Sequence, residues 1–329
     1  MSAPGGTVPT ADATAPHTES GAGSAPAENA RNARSAGNTR NALSARKAEH
    51  TEHTGAVRRR LPVPGLLIPA VLAALLLLVA LAGPWLMPHH PAAGTLDGRL
   101  AGPLTPGHLL GTDTQGRDIL SRLVAGTRPS LIGGLVPVAV AGIAGTLLGA
   151  VAALAGRITE QALLRTLDIL FAFPGVLLAI TIATLLSPGL TTTVVALSIV
   201  LTPAVARVAF TEVQRIRTAE FLEAARVSGA SRTAVVLWQI GPVVAPVVLV
   251  YCSSLVGLSI VYAAGLSFLG LGTPPPGAEW GTMLDELRPV LLTHPAVAVL
   301  PALAILAVSV VFNTLGNALQ ASGAEREAR

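Results

Sequence analysis

The chain has 329 residues, of which 51% are hydrophobic and 12% charged, about half the charged share of an average soluble domain. With a mean hydropathy of +0.62, that excludes an ordinary soluble globular protein. The 22 Lys/Arg include a single lysine, Lys47, and the single cysteine is Cys252. No G-x-x-x-x-G-K-S/T loop can be written, so the chain cannot itself hold ATP phosphates in the P-loop manner, and a disulfide framework or Cys-rich metal site is excluded.

Residues 1–60 carry 8 Lys/Arg and 5 Asp/Glu and almost no large apolar side chain. Little surface can be buried there against the entropy of ordering, so a disordered cytoplasmic tail is expected. A basic flank followed by an apolar run begins only at Arg58-Arg59-Arg60 and Leu61, too late for a signal peptide. The run reads as an uncleaved span.

A membrane-spanning helix needs about 20 apolar residues. Stretches free of Asp, Glu, Lys and Arg occur at 61–96, 129–156, 169–206, 233–278 and 289–324. The first supplies a span at about 65–87, ended by Pro88 and His89-His90-Pro91. The second supplies 129–156, rich in Gly133, Gly134, Gly142, Gly145 and Gly149, which suits an interior helix closely approached by its neighbours. The third is interrupted by Ser187-Pro188-Gly189 and divides into spans at about 168–187 and 190–210. The fourth gives 238–263 before Pro274-Pro275-Pro276 ends any helix, and the last gives 294–317. The expectation is therefore an all-α membrane domain of six spans over 61–320, with a short cytoplasmic tail at 321–329.

Orientation follows from the arginines. Arg58 to Arg60, Arg157, Arg165, Arg207, Arg215, Arg217, Arg226 and Arg232 all fall on one side of a six-span chain. By the positive-inside rule that side is the cytoplasm, with both termini inside. Arg99, Arg117, Arg122 and Arg128 then lie outside, partly balanced by Asp97, Asp113 and Asp118. The scattered arginines fit this topology better than they fit nucleic-acid binding.

The longest polar segment between spans, 207–232, contains Glu220-Phe221-Leu222-Glu223-Ala224-Ala225-Arg226-Val227-Ser228-Gly229. Good helix formers, a Glu223/Arg226 pair at i, i+3 and a glycine placed for a left-handed residue past the end predict a short surface helix. Phe221 and Leu222 give it an apolar foothold. From the residues alone it is equally an amphipathic connector resting on the bilayer.

Glu223-Ala224-Ala225, Gly229 and Ile240-Gly241-Pro242 resemble the EAA loop of permease subunits of ATP-binding cassette importers, with Gly241 standing where that family usually has Leu. The resemblance implies a type I importer permease fold in which residues 220–229 form the helix that docks on a separate ATPase. Two more segments are similar to the C-type permeases of dipeptide, oligopeptide and nickel importers. These are Gly111-Thr112-Asp113-Thr114-Gln115-Gly116-Arg117-Asp118-Ile119-Leu120-Ser121-Arg122-Leu123, and Leu266-Ser267-Phe268-Leu269-Gly270-Leu271-Gly272 with Trp280-Gly281-Thr282-Met283-Leu284. Asp168 to Pro174 also looks like the start of the third span in that family. The match runs from about 61 to 320.

Read for themselves, Gly111 and Gly116 allow tight turns, and Asp118 and Arg122 sit at i, i+4 on a helix beginning near Arg117. A solvated ion pair on an interfacial helix is the simpler expectation, ahead of substrate contact. Gly270 and Gly272 most simply end the fifth span.

No ionisable side chain falls at mid-depth of a span, which counts against a proton relay. His89, His90, His108 and His294 are scattered at span ends, so no metal site is expected. Nor is a catalytic site: Ser253, Ser254 and Ser259 have no histidine at their depth. The resemblance implies a non-enzymatic subunit lining part of a path for peptides, nickel or related small solutes. It implies no cofactor on this chain, since ATP is used by a partner, and no nucleic acid. Its partners would be a second, B-type permease, two ATPase domains, an extracytoplasmic solute-binding protein and membrane lipid. The alternative is a secondary transporter or channel acting alone, which would be expected to show internal repeats, broken helices and polar midplane sites.

Overall fold

The structure is a computed structural model that describes residues 64–229, 231 and 234–327. The tail over 1–60, Arg58 to Arg60 and Arg232 lie outside these residues. Apart from isolated bridges in the loop before residue 119, the described regular structure is helical.

Helix α1, Pro64–Leu86, leaves Leu75, Leu78 and Leu81 exposed, as suits a helix whose outer surface is covered by lipid. Helix α2 is Ile119–Leu154, 36 residues or about 54 Å, and overshoots a hydrocarbon core of about 30 Å. It therefore starts ten residues before the expected 129–156 span, and the cause is local. Asp118 caps it by accepting the Ser121 backbone N–H.

The expected span at 168–187 is not one helix. Helix α3, Arg157–Ala172, and helix α4, Gly175–Thr184, meet at a 91° bend. Pro174 has no N–H to donate and drives Phe173 out of helical geometry, to ψ 137°. With ten residues, about 15 Å, α4 cannot cross a bilayer alone.

The remaining elements are α5, Leu190–Ile216; α6, Glu220–Val227; a π-helical turn, Val235–Ile240; α7, Gly241–Phe268; α8, Trp280–Leu287; α9, Pro295–Ala298; and α10, Leu300–Glu327. The π turn runs into α7, so that helical stretch begins before the expected 238 and ends after 263. Its Gly241 N–H reaches the Val236 carbonyl, and Pro242 has no N–H to offer. α10 continues past 317 and takes up most of the supposed tail, because Ala, Leu, Gln, Glu and Arg outnumber the one interrupting residue, Gly323.

Close approaches at glycines fix the helix directions. Along α2, Gly133 meets Leu190, Gly145 meets Thr202 and Val205, and Gly149 meets Ala206 and Phe210, so α2 and α5 run parallel. The chain between them must return across the bundle, which makes α3 and α4 together one broken span. Gly134 meets Ile260 and Gly142 meets Cys252, so α7 opposes α2; Gly257 meets Asn313 and Gly316 meets Ser254, so α10 opposes α7. Gly83, near the end of α1, meets Val124, near the start of α2. Five helices are long and apolar enough to cross a membrane and the bent pair makes a sixth crossing among the described residues. Pro64 and Glu327 consequently lie at one end of the bundle together with α6, and the start of α2 lies at the other.

Candidate functional site: a docking helix and a buried ion network

At the α6 end, the Leu222 side chain is fully buried and joins the main apolar core, whereas Glu220, Glu223 and Val227 are exposed. Among the described side chains of α6, Leu222 is the anchor in the bundle, and the two glutamates face outward. α6 packs beside the π turn at the start of α7. Gly229 follows the helix with φ +82° and open space around it, so backbone conformation rather than room requires glycine there. The side chains of Phe221, Ala224, Ala225 and Arg226 lie outside the described ones, and with them the expected Glu223/Arg226 pair. On the same half of the bundle Arg207 pairs with Asp168 and lies 4.5 Å from the Phe171 ring centre, joining α5 to α3.

At the opposite end the Gly111 to Arg122 segment builds an ion network. Gly111 and Gly116 take φ of +81° and +73°, and a Cβ on either would strike the backbone of Ala101 or Thr95. Thr112 is buried, its hydroxyl accepting the Ala101 N–H at 2.8 Å. Asp113 Oδ1 accepts the N–H groups of Gln115 and Arg117 at 2.8 and 3.0 Å, and Oδ2 accepts Arg117 Nε at 2.6 Å and Arg122 Nη1 at 3.2 Å. Glu286 Oε2, on α8, accepts Nη2 of both Arg117 and Arg122 at 2.7 Å. Arg117 is 2% exposed and Arg122 not at all, so two guanidinium groups and two carboxylates balance inside the protein.

The expected Asp118/Arg122 pair does not form. Asp118 turns back to cap α2, accepting Ser121 N at 2.8 Å and Ser121 Oγ at 2.7 Å, and pairs with His108 Nδ1 at 2.9 Å. Burial alone would raise its carboxyl, but the hydrogen bonds from His108 and Ser121 outweigh that and hold it below the ordinary value. For Glu286 the balance is reversed: burial raises the carboxyl by more than the Arg117 charge lowers it. Its Oε1 is buried with no hydrogen-bond partner among the described residues.

The second motif meets the first here. Gly270 ends α7 at φ +82°, its N–H bonding Ser267 and the next N–H bonding Leu266. A Cβ on Gly272 would overlap Ser267. Buried Glu279 accepts the Ser267 hydroxyl and the Thr273 N–H, while Trp280 donates its ring N–H to the Leu123 carbonyl at 3.0 Å and its backbone N–H to Ser130 Oγ at 3.2 Å. The two motifs, far apart in sequence, thus fasten α8 to the start of α2. Glu279, Glu286 and the His89/His108 pair were not legible as partners. The one sequence signal was an excess of arginine over aspartate in the 97–128 stretch, which calls for a remote acid.

A family model described as "Binding-protein-dependent transport system inner membrane component" matches residues 145–323. The glutathione transport system permease protein GsiD of Pectobacterium atrosepticum is 39% identical over 74% of this chain and 82% of its own length. A probable D,D-dipeptide transport system permease protein, DdpC of Escherichia coli, is 36% identical over 76% of this chain and 84% of its own. Among solved structures, the inward-facing MetNI methionine ABC transporter covers 61% of this chain and 97% of the matched chain at 16% identity, with a TM-score of 0.49.

Proposed function

Because the chain belongs to the family of binding-protein-dependent transport system inner membrane components, we propose that it serves an importer of peptides and drives it by docking α6 on a separate ATPase. As a permease subunit of an ATP-binding cassette importer it contributes transmembrane helices and no covalent chemistry. Peptides are the substrate class because both relatives, at 36–39% identity, are named for peptide cargo, glutathione and D,D-dipeptides. The partners of this reading are a B-type permease completing the path, two ATPase domains holding the ATP, and an extracytoplasmic solute-binding protein. Both termini and α6 face the cytoplasm, an orientation supported by Arg157 and Arg165 on α3 and by Arg215 and Arg217 at the end of α5.

The observation that carries the reading is the build of α6: among its described side chains Leu222 is buried in the bundle while Glu220, Glu223 and Val227 are presented outward. A push on this helix passes through Leu222 to the π turn and α7, and through the three residues between Ile216 and Glu220 to α5. Since α5 is in backbone contact with α2 at Gly145 and Gly149, α2 and α5 move as one body. The π turn with Gly241-Pro242 supplies the flexible point.

Glu223→Lys reverses charge at the proposed contact, and Gly229→Val forces a β-branched residue into a left-handed position at a cost of about 1–2 kcal/mol. Co-purification of the ATPase and peptide uptake in the same cells are expected to fall in both variants while membrane insertion is retained. Unchanged co-purification and uptake in both variants would leave α6 as an interfacial connector and overturn the docking assignment.

A further inference from the structure

We propose that His89, His108 and Asp118 form a binding site for a divalent first-row transition cation at the start of α2. The three residues come from separate segments: the turn after α1, the loop before Gly111, and the α2 cap. Their ligand atoms all lie within 4.8 Å of one another. His108 Nδ1 and Asp118 Oδ1 are 2.9 Å apart, close to the spacing of about 3 Å between neighbouring ligands at right angles around an ion bound at about 2.1 Å. His89 Nδ1 stands 3.9 Å from Asp118 Oδ2. Its ring is half exposed and lies 4.9 Å from the His108 ring, centre to centre, so a small rotation completes the set. Two imidazoles and one carboxylate are the donors that select such a cation over calcium or magnesium.

The surroundings are built to hold these donors. Asp118 is buried, and its Oδ2 is fixed by the Ser121 N–H and hydroxyl. The Ser121 oxygen in turn accepts the His89 backbone N–H at 3.0 Å, so one serine orients two of the three ligands. The nearby guanidinium groups of Arg117 and Arg122 are already neutralised by Asp113 and Glu286 and leave Asp118 to the cation. A cavity of about 340 Å³, walled by Leu104, Leu109 and Leu120 and reached by His108 and Asp118, leaves room for water or another ligand at the remaining positions. A bound cation would staple the 88–118 loop to α2.

The test uses Zn²⁺ as the probe and the full-length chain in detergent, titrated in competition with a chromophoric chelator. His17, His50, His53, His90 and His294 stay in every variant, so weak binding to them is common to all. The wild type should bind one more Zn²⁺ per chain than His89→Gln/His108→Gln, and His89→Gln alone should weaken that site by about tenfold or more. In EDTA the His89→Gln chain should unfold at the wild-type temperature, and a given Zn²⁺ concentration should raise the midpoint of the wild type by more than that of the variant. Equal Zn²⁺ stoichiometry and affinity in the wild type and the double variant would overturn the site and leave His108 and Asp118 as a hydrogen-bonded pair.

Discussion

Arg122 has no exposed surface and two carboxylate partners, and the two kinds of group in that network are not equivalent to remove. Arg122→Met leaves Asp113 and Glu286 buried with one guanidinium between them and should cost about 3–5 kcal/mol, read as a fall in the thermal unfolding midpoint in detergent. Glu286→Gln behaves differently because burial raises the Glu286 carboxyl above its ordinary value. With the folded-state value raised, the folded protein holds more protons than the unfolded one in the window upward from about pH 4.5. The contribution of Glu286 is therefore most favourable below that window and is lost as pH rises through the raised value. The wild type and Glu286→Gln should be of similar stability at the acid end of the window, and the glutamine variant should gain on the wild type as pH rises. A gap that moves the other way would mean that the arginines, not burial, dominate Glu286.

Between elements, the contact that matters most is α2 against α5. A Cβ on Gly149 would sit 2.3 Å from the Ala206 carbonyl oxygen and 2.8 Å from Phe210 N, whereas one on Gly265 in α7 meets nothing within 4 Å. Gly149→Ala should destabilise the bundle by about 1–3 kcal/mol, and Gly265→Ala should leave it within about 0.5 kcal/mol. Thermal unfolding of the two variants side by side checks both. The glycine content of 129–156 already pointed to a closely packed helix. Which helix it packs on, and that the two run parallel, depends on contacts between residues about 57–61 apart, and no pattern within either segment encodes that pairing. The break at Phe173-Pro174 was in the sequence, but a window without charges is blind to proline. The Asp118/Arg122 pairing failed for a related reason. Spacing places two side chains on one face, but a capping aspartate is committed to the backbone of its own helix, and of the two partners Arg122 takes instead, Asp113 and Glu286, the second lies 164 residues away.

Across the whole molecule, long apolar runs and the polar segment at 207–232 were enough to recover a six-crossing helical bundle, because hydrocarbon demands length and internal hydrogen bonding from every span. The bundle then separates two regions. α6 sits at the end shared by Pro64 and Glu327, and the ion network fastens α8 to α2 at the other. A machine driven from one end needs this arrangement: a handle that a partner can move, and rigid helices that carry the motion across. The most direct test places a photo-crosslinking residue at position 223 or, as the control, at exposed Leu104 at the opposite end, in cells expressing the complete transport system. Position 223 should give an adduct containing the ATPase, and position 104 should give none with that subunit. An ATPase adduct from position 104, or its absence from position 223 in cells that still take up peptide, would contradict the account.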